Sequence, residues 1–369
     1  MKSILQNKAY LYLTCLFLGI ITSFSLPPYN FVFLNFLSLP TLLYILINYT
    51  HKKIISFFVG WVFGFGYFIS NLYWITNSLT FDVNFKFIIP FALILIPLFL
   101  GIFYGLVTFL SNFFNLKNKF SSILIFSFFF GGIEFLRSFI FGGFPWNLVV
   151  FSLSNNLPSL QILSYMGTYS LNLLSITIFS LPLIFFFKYK SVIKFLIFGL
   201  GLILVVINFL YGNLIIKNFE KKKHENLSSI IRVVSPNIPI KRFLSNQDPE
   251  RNINELISLS DPNNLKKTIF IYPEGIITSI YFKDLKFFKD IFKENYNINH
   301  KVILGINTIN QNKIYNSLIA LNNESELLYK YNKNKLVPFG EFLPFENFFK
   351  KIGLKKITQG YQSFSADDK

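Results

Sequence analysis

The first 216 residues of the chain carry only two acidic side chains, Asp82 and Glu134, against 11 lysines and arginines. A water-soluble surface needs charges of both signs. A bilayer core instead needs apolar runs of about 20 residues and penalises charge within them. Such runs lie near 9–26, 30–48, 54–76, 87–114, 121–141, 163–187 and 193–216. About seven transmembrane spans are therefore expected. The first run lacks a small-residue cleavage site and is followed at once by further runs, which argues against a signal peptide.

Beyond Ile216 the composition changes. Residues 217–369 hold 24 lysines and arginines and 16 acids, so the chain divides into a membrane part, 1–216, and a polar domain, 217–369. The net charge of +17 splits almost evenly between them. In the membrane part it reports topology. Lys2, Lys8, Lys52, Lys53, Lys117, Lys119, Lys188, Lys190 and Lys194 fall on one side and only Lys86 and Arg137 on the other. Basic loops mark the cytoplasm, so the N-terminus is expected inside and residues 217–369 outside. The Lys221-Lys222-Lys223 run opposes this weakly, because charge near a large domain counts for less than charge in short loops. In the polar domain the surplus suits either anionic headgroups or a solvated, lysine-rich face. Nucleic acid is not an expected partner. Cys15 is the only cysteine, and His51, His224 and His300 are scattered, so neither a disulfide nor a Cys/His metal cluster is expected. No cofactor is expected either.

The polar domain alternates strand and helix signals. Strands are predicted at 229–237, 268–275 and 301–307, helices at 248–260 and 284–296, and a hairpin from 313–322 and 327–334. This is an α/β layout, in which active groups favour strand-end turns.

Few side chains stand out in the membrane part. Glu134 and Arg137, at i and i+3 in "GGIEFLRSFIFGGFPW", share a helix face. They form either an ion pair that fixes packing or part of the wall of a lipid-access cavity. "GGFPW" then breaks the helix and brings Trp146 towards an interface, and Asn71, Tyr73 and Trp74 in "SNLYW" read as another interfacial end.

In the polar domain Glu274 follows an apolar strand between Pro273 and Gly275. Partial desolvation there would raise its basicity and suit a general base. An acid stabilising a helix N-terminus fits the position equally well. Lys333 and Glu341 follow in "YNKNKLVPFGEFLPF".

Together these segments resemble the nitrilase superfamily, whose catalytic set is Glu, Lys and Cys. "RVVSPNIP", "YPEG", "YNSLIAL" and "YNKNKLVPFGEFLPF" are similar to one membrane branch of it, the apolipoprotein N-acyltransferases. "SFSLPPYNF", "GWVFGFGYFISNLYW", "EFLRSFIFGGFPWNLVVFS" and "LSYMGTYSLNLL" match that family's membrane landmarks in the same order. The resemblance implies a polytopic helical membrane bundle followed by an α-β-β-α nitrilase-like domain. It implies a bacterial inner-membrane protein with residues 217–369 on the periplasmic side. It also implies acyl transfer from a phospholipid, usually phosphatidylethanolamine, through a cysteine thioester to the amine of a diacylated apolipoprotein. Glu274 matches the base, Lys333 the cation facing the oxyanion, and Glu341 a second acid that orients them.

The family's cysteine comes a few dozen residues after the Pro-Phe-Gly-Glu segment, and this sequence runs only to Lys369. Cys15, in the first span, does not replace it. Phe243 stands where the family usually has Trp. The catalytic domain is accordingly expected to be incomplete at its C-terminus, as the product of a split gene, a fragment, or a pseudoenzyme that binds lipid without chemistry. A domain lacking core strands has an unpaired edge and is expected to fold poorly alone. The competing function classes are a membrane-tethered amidase of the same superfamily and a non-catalytic lipid-binding scaffold.

Overall fold

In lipid a backbone must satisfy its own hydrogen bonds, so apolar runs of this length become helices. In the computed structural model the described residues are 5–50, 52–80, 83–221, 228–237, 248–263, 265–338, 340–342 and 363–367. They fall in two compact units, Met1–Lys223 and His224–Lys369. The first holds helices α1 (Lys8–Ser23), α2 (Asn35–Tyr49), α3 (Lys53–Asn71), α4 (Ile89–Ser111), α5 (Phe120–Arg137), α6 (Leu163–Ser180) and α7 (Ser191–Lys221). Six stretches among the described residues are long and apolar enough to cross a membrane, while α1 is an apolar helix of 16 residues. Small residues let α3 and α4 approach closely: a Cβ on Gly64 would lie 2.9 Å from the Gly101 Cα.

The interior of this unit is not wholly apolar. The side chains of Glu134 and Arg137 are 0% and 1% exposed and lie 3.8 Å apart. Tyr104 Oη donates to Glu134 Oε1 at 2.7 Å, and Asn172 Nδ2 donates to Oε2. Arg137 Nη1 donates to the Phe144 and Trp146 carbonyls at 2.7 and 3.0 Å. Asn172 Oδ1 accepts the Val150 N–H, and Tyr67 Oη donates to the Asn147 carbonyl. Side chains from α3, α5 and α6 thus hold the irregular segment 144–150, which follows the break at Gly142 and Gly143 (φ 89° and 83°). Of the two sequence readings, the packing ion pair describes this arrangement.

Among the described residues the second unit is built on a six-stranded mixed sheet. Its strands are β1 (Ile230–Val233), β2 (Thr268–Ile271), β3 (Ile277–Tyr281), β4 (His300–Asn310), β5 (Lys313–Leu321) and β6 (Leu327–Asn332). The order is β1-β2-β4-β5-β6, with β3 also paired to β4. β2 pairs with the first part of β4 and β3 with a later part, both in parallel; β5 and β6 are antiparallel additions. Helices α8 (Pro249–Ser260) and α9 (Lys289–Asn295) complete the unit. Asp248 caps α8 through the Glu250 N–H, and Pro249 opens it.

Register divides the sheet into two faces. Phe270, Val302 and Leu321 align across β2, β4 and β5, as do Leu304 and Ile319. They are buried with Ile253, Leu256 and Ile257 of α8 and Phe292 of α9. The alternate residues Ile231, Val233, Leu318, Tyr329 and Tyr331 form the other face and are exposed among the described residues. Three sequence expectations need correction. The strand expected over 268–275 ends at Ile271, and a further strand, β3, follows at Ile277–Tyr281. The strand starting at 301 runs to Asn310. The helix expected over 284–296 begins as a 3₁₀ segment, Phe282–Phe288, and is α-helical only over Lys289–Asn295. Phe243, Phe339, Lys222 and Lys223 lie outside the described residues.

The charge pair inside the bundle gives a direct test. Arg137→Ala leaves the Glu134 carboxylate without its cation and frees two loop carbonyls. It should cost about 3–5 kcal/mol, against about 1 kcal/mol for Tyr104→Phe, which removes one hydrogen bond. Thermal unfolding in detergent should rank the variants in that order.

Candidate active site

Glu274 is presented by the turn that takes the chain from β2 to β3. β2 ends in the apolar run Ile269–Ile271, Pro273 cannot donate to a ladder, and Gly275 turns the chain at φ +59°. The turn lies directly on β4 at Gly305, where a Cβ would come 2.7 Å from the Glu274 Cα. The Gly305 N–H donates to the Pro273 carbonyl at 3.3 Å.

Lys333 follows the last residue of β6, and its N–H donates to the Asn316 carbonyl at 2.9 Å. Asn316 lies opposite Asn307 of β4, so Asn307, Asn316 and Lys333 form one row across the sheet on the face away from the helices. Glu341 closes a turn with Val337. Its N–H donates to the Val337 carbonyl at 2.9 Å, and the Val337 N–H donates to its Oε2 at 2.8 Å.

These elements bring the three side chains together. Lys333 Nζ lies 3.1 Å from Glu274 Oε1 and 3.1 Å from Glu341 Oε1. Asn316 Nδ2 donates to the same two oxygens, at 2.6 and 2.9 Å. The ammonium and the amide thus bridge the two carboxylates in parallel. Sequence reasoning had assigned no role to Asn316. Its signal was the polar pair Asn316-Ser317 inside an otherwise apolar strand.

The carboxylates differ in setting. The Glu341 side chain is 14% exposed and that of Glu274 is 64% exposed. The desolvation expected for Glu274 is therefore not found among the described residues, whose packing leaves most of the side chain open. Burial pushes the Glu341 carboxyl up, but the Val337 N–H, the Asn316 amide and Lys333 outweigh it and hold it below the ordinary range. Burial likewise opposes the charge on Lys333, yet its hydrogen bonds to Glu274 and Glu341 hold it above the ordinary lysine value. Cys15, by contrast, is wholly buried in α1. Among the described residues no group of His, Cys, Asp and Glu has the makings of a metal site.

The shifts set a sign for pH dependence. The stabilisation from Glu341 is complete above its ordinary value of 4.5 and is lost as pH falls through its lower folded value. That from Lys333 is complete below 10.5 and is lost as pH rises through its higher folded value. Glu341→Gln should therefore destabilise the domain at neutral pH, and the gap to the parent should close as pH falls below 4.5 and through the lower folded value. Melting temperatures measured across pH would show this. Gly305→Val should displace the Glu274 turn and cost about 1–3 kcal/mol, read by denaturant unfolding.

Comparison with known proteins agrees with this architecture. Residues 18–181 match the apolipoprotein N-acyltransferase N-terminal domain. The apolipoprotein N-acyltransferase of Rickettsia prowazekii is 30% identical over 367 residues, covering 96% of this chain and 70% of the relative. Those of Brucella melitensis and Agrobacterium fabrum are 25% and 27% identical, each covering 94% of this chain and 68% of the relative. A helical bundle of the right kind, a sheet domain and similarity over nearly the whole of this chain to enzymes of one name lead to one assignment: the chain belongs to the apolipoprotein N-acyltransferase family of membrane acyltransferases.

Proposed function

We propose that the chain serves N-acylation of lipoproteins through Glu274 as base, Lys333 as charge-stabilising cation and Glu341 as the acid that fixes Lys333. An acyl group would leave a phospholipid such as phosphatidylethanolamine, rest on a cysteine as a thioester, and pass to the amine of a diacylglyceryl-cysteine. The distribution of lone pairs around Lys333 carries this reading. Glu341 spends Oε2 on the Val337 N–H and Oε1 on Lys333 and Asn316, which leaves it little capacity for proton transfer. Glu274 binds both donors through Oε1 alone, and its Oε2 accepts nothing among the described residues.

In the first half-reaction Glu274 takes the thiol proton and the thiolate adds to the ester carbonyl. The negative charge that forms on oxygen faces the Lys333 ammonium. Collapse expels the lysophospholipid alkoxide, which leaves with the proton from Glu274. In the second, the lipoprotein amine adds to the thioester and gives its proton to Glu274. The amide forms, the thiolate leaves, and Glu274 returns the proton to it. This reading takes the thiol from chain outside these 369 residues. The buried position of Cys15 supports it, as does the greater length of the relatives, of which this chain covers 68–70%.

We place residues 217–369 on the periplasmic side of the inner membrane, with α1 as the first of seven crossings. The nine-to-two split of basic loop residues supports this. The 16 residues of α1 reach about 24 Å, which a locally thinned bilayer accommodates. A single cysteine introduced at the exposed Leu265 should react with a membrane-impermeant maleimide in intact spheroplasts. Reaction only after lysis would reverse the orientation.

The chemical test uses the protein with any segment that continues it, in vesicles whose phosphatidylethanolamine carries labelled acyl chains. A diacylglyceryl-cysteine peptide should gain one labelled chain, and Glu274→Gln or Lys333→Ala should each slow this about 10²–10³-fold. Residues 1–369 alone should form no hydroxylamine-sensitive acyl-enzyme. A thioester on that piece would refute the placement of the nucleophile, and lipid-independent amide hydrolysis would favour the amidase reading.

A further inference from the structure

Lys333 carries its charge on four rotatable bonds, so its aim depends on how firmly its backbone is held. Its N–H is held by the Asn316 carbonyl, and its own carbonyl accepts the Asp367 N–H at 3.3 Å. The preceding residue, Asn332, faces the opposite side of the sheet. There it joins a line of side chains crossing three strands. The Thr308 and Ser317 hydroxyls lie 2.6 Å apart, and Ser317 Oγ donates to Asn332 Oδ1 at 2.7 Å. Asn332 Nδ2 donates to Asp367 Oδ2 at 2.8 Å.

The short segment 363–367 touches the same region at two further points. The Phe364 N–H donates to the Glu341 carbonyl at 2.9 Å, and the Ser365 N–H donates to the Ile314 carbonyl at the start of β5 at 2.7 Å. One stretch of chain therefore fastens the backbones of Lys333 and Glu341 and the β5 edge between them. Asp367 holds the Lys333 carbonyl with its main-chain N–H and the neighbouring Asn332 amide with its side chain.

We propose that Asp367 is a positioning residue for Lys333, acting through the Asn332 amide and the Lys333 carbonyl. The proposal rests on the reading of Lys333 as the reaction's cation. Removing the Asp367 carboxylate leaves Asn332 Nδ2 without its acceptor and loosens the end of β6. The ammonium then drifts from the two carboxylate oxygens it bridges. Displacements of about 1 Å are enough to slow a positioned reaction about 10²-fold.

The test compares Asp367→Ala with Asp367→Asn, whose amide oxygen still accepts from Asn332. The first readout needs no activity: titration of Lys333 by carbon-13 NMR of reductively methylated lysines, assigned with Lys333→Arg. Among the described residues Glu274 and Glu341 are the charged groups that face Lys333, and they hold it above its ordinary value. The raised titration should persist in Asp367→Asn and return to the ordinary lysine range in Asp367→Ala. Acyl transfer by Asp367→Ala should fall about ten- to hundredfold at unchanged donor KM, with Asp367→Asn restoring most of it. An unaltered Lys333 titration in Asp367→Ala overturns the proposal. So does an equal loss of rate and melting temperature in both variants, which marks a purely structural residue. If Lys333→Ala leaves acyl transfer intact, the functional reading fails, while the titration still decides whether Asp367 places Lys333.

Discussion

Two carboxylates that share one point in space repel each other unless a cation stands between them. Glu274 and Glu341 each direct Oε1 at the same ammonium, and the geometry of the site follows from that shared contact. Its two halves are unequal. An ion pair with a carboxylate as open as Glu274 contributes little to stability in water. The pair with Glu341 is better shielded and is reinforced by a backbone N–H. The cluster is thus anchored on one side and free on the other. That asymmetry underlies the proposed division of labour, in which Glu341 holds Lys333 and Glu274 exchanges protons.

The sheet explains why the cluster forms where it does. In a β-ladder, alternate residues share a face and opposed residues sit side by side, so a row of polar side chains across three strands converges without further help. Asn307, Asn316 and Lys333 make such a row. Glu274 meets it from above, because β3 replaces β2 along β4 and the chain must leave the sheet between them. Gly305 lets that turn settle on the strand. The opposite face of the same three strands carries Thr308, Ser317 and Asn332, so the site is fastened from beneath as well.

Much of this was legible in the sequence, and what was not has definite physical reasons. Long apolar runs and a change in charge composition reveal a membrane part and a polar part because both rest on solvation, which composition reports directly. Glu274, Lys333 and Glu341 were found through turn signals and a resemblance. Asn316 was not singled out, because its role depends on register, and register is a relation between strands distant in sequence. β3 was overlooked for a similar reason: "ITSIY" is short, and what makes it a strand is its neighbour β4. The exposure of Glu274 was misjudged because Pro and Gly announce a turn but say nothing of what covers it. Asp367 lay beyond any local pattern, being tied to Lys333 only through the fold.

The membrane unit shows the complementary limit. Apolar side chains suffice to make each helix, but lipid and protein interior are nearly equally apolar, so they specify poorly which helix meets which. Buried polar groups do specify it, since each must find its partner or carry a penalty. Glu134 meets that demand with Tyr104 and Asn172, from helices on either side of it in sequence, and Arg137 meets it in part: Nη1 donates to two carbonyls of the loop that follows its own helix, while Nη2 has only the Glu134 charge at 3.8 Å. The Phe68 and Phe144 rings enclose the guanidinium at 5.3 and 5.6 Å. A packing error among α3, α4, α5 and α6 would strand at least one of these groups in an apolar medium. The same two charges that are costly to place in a membrane thereby select one arrangement of the bundle and fix the path of segment 144–150.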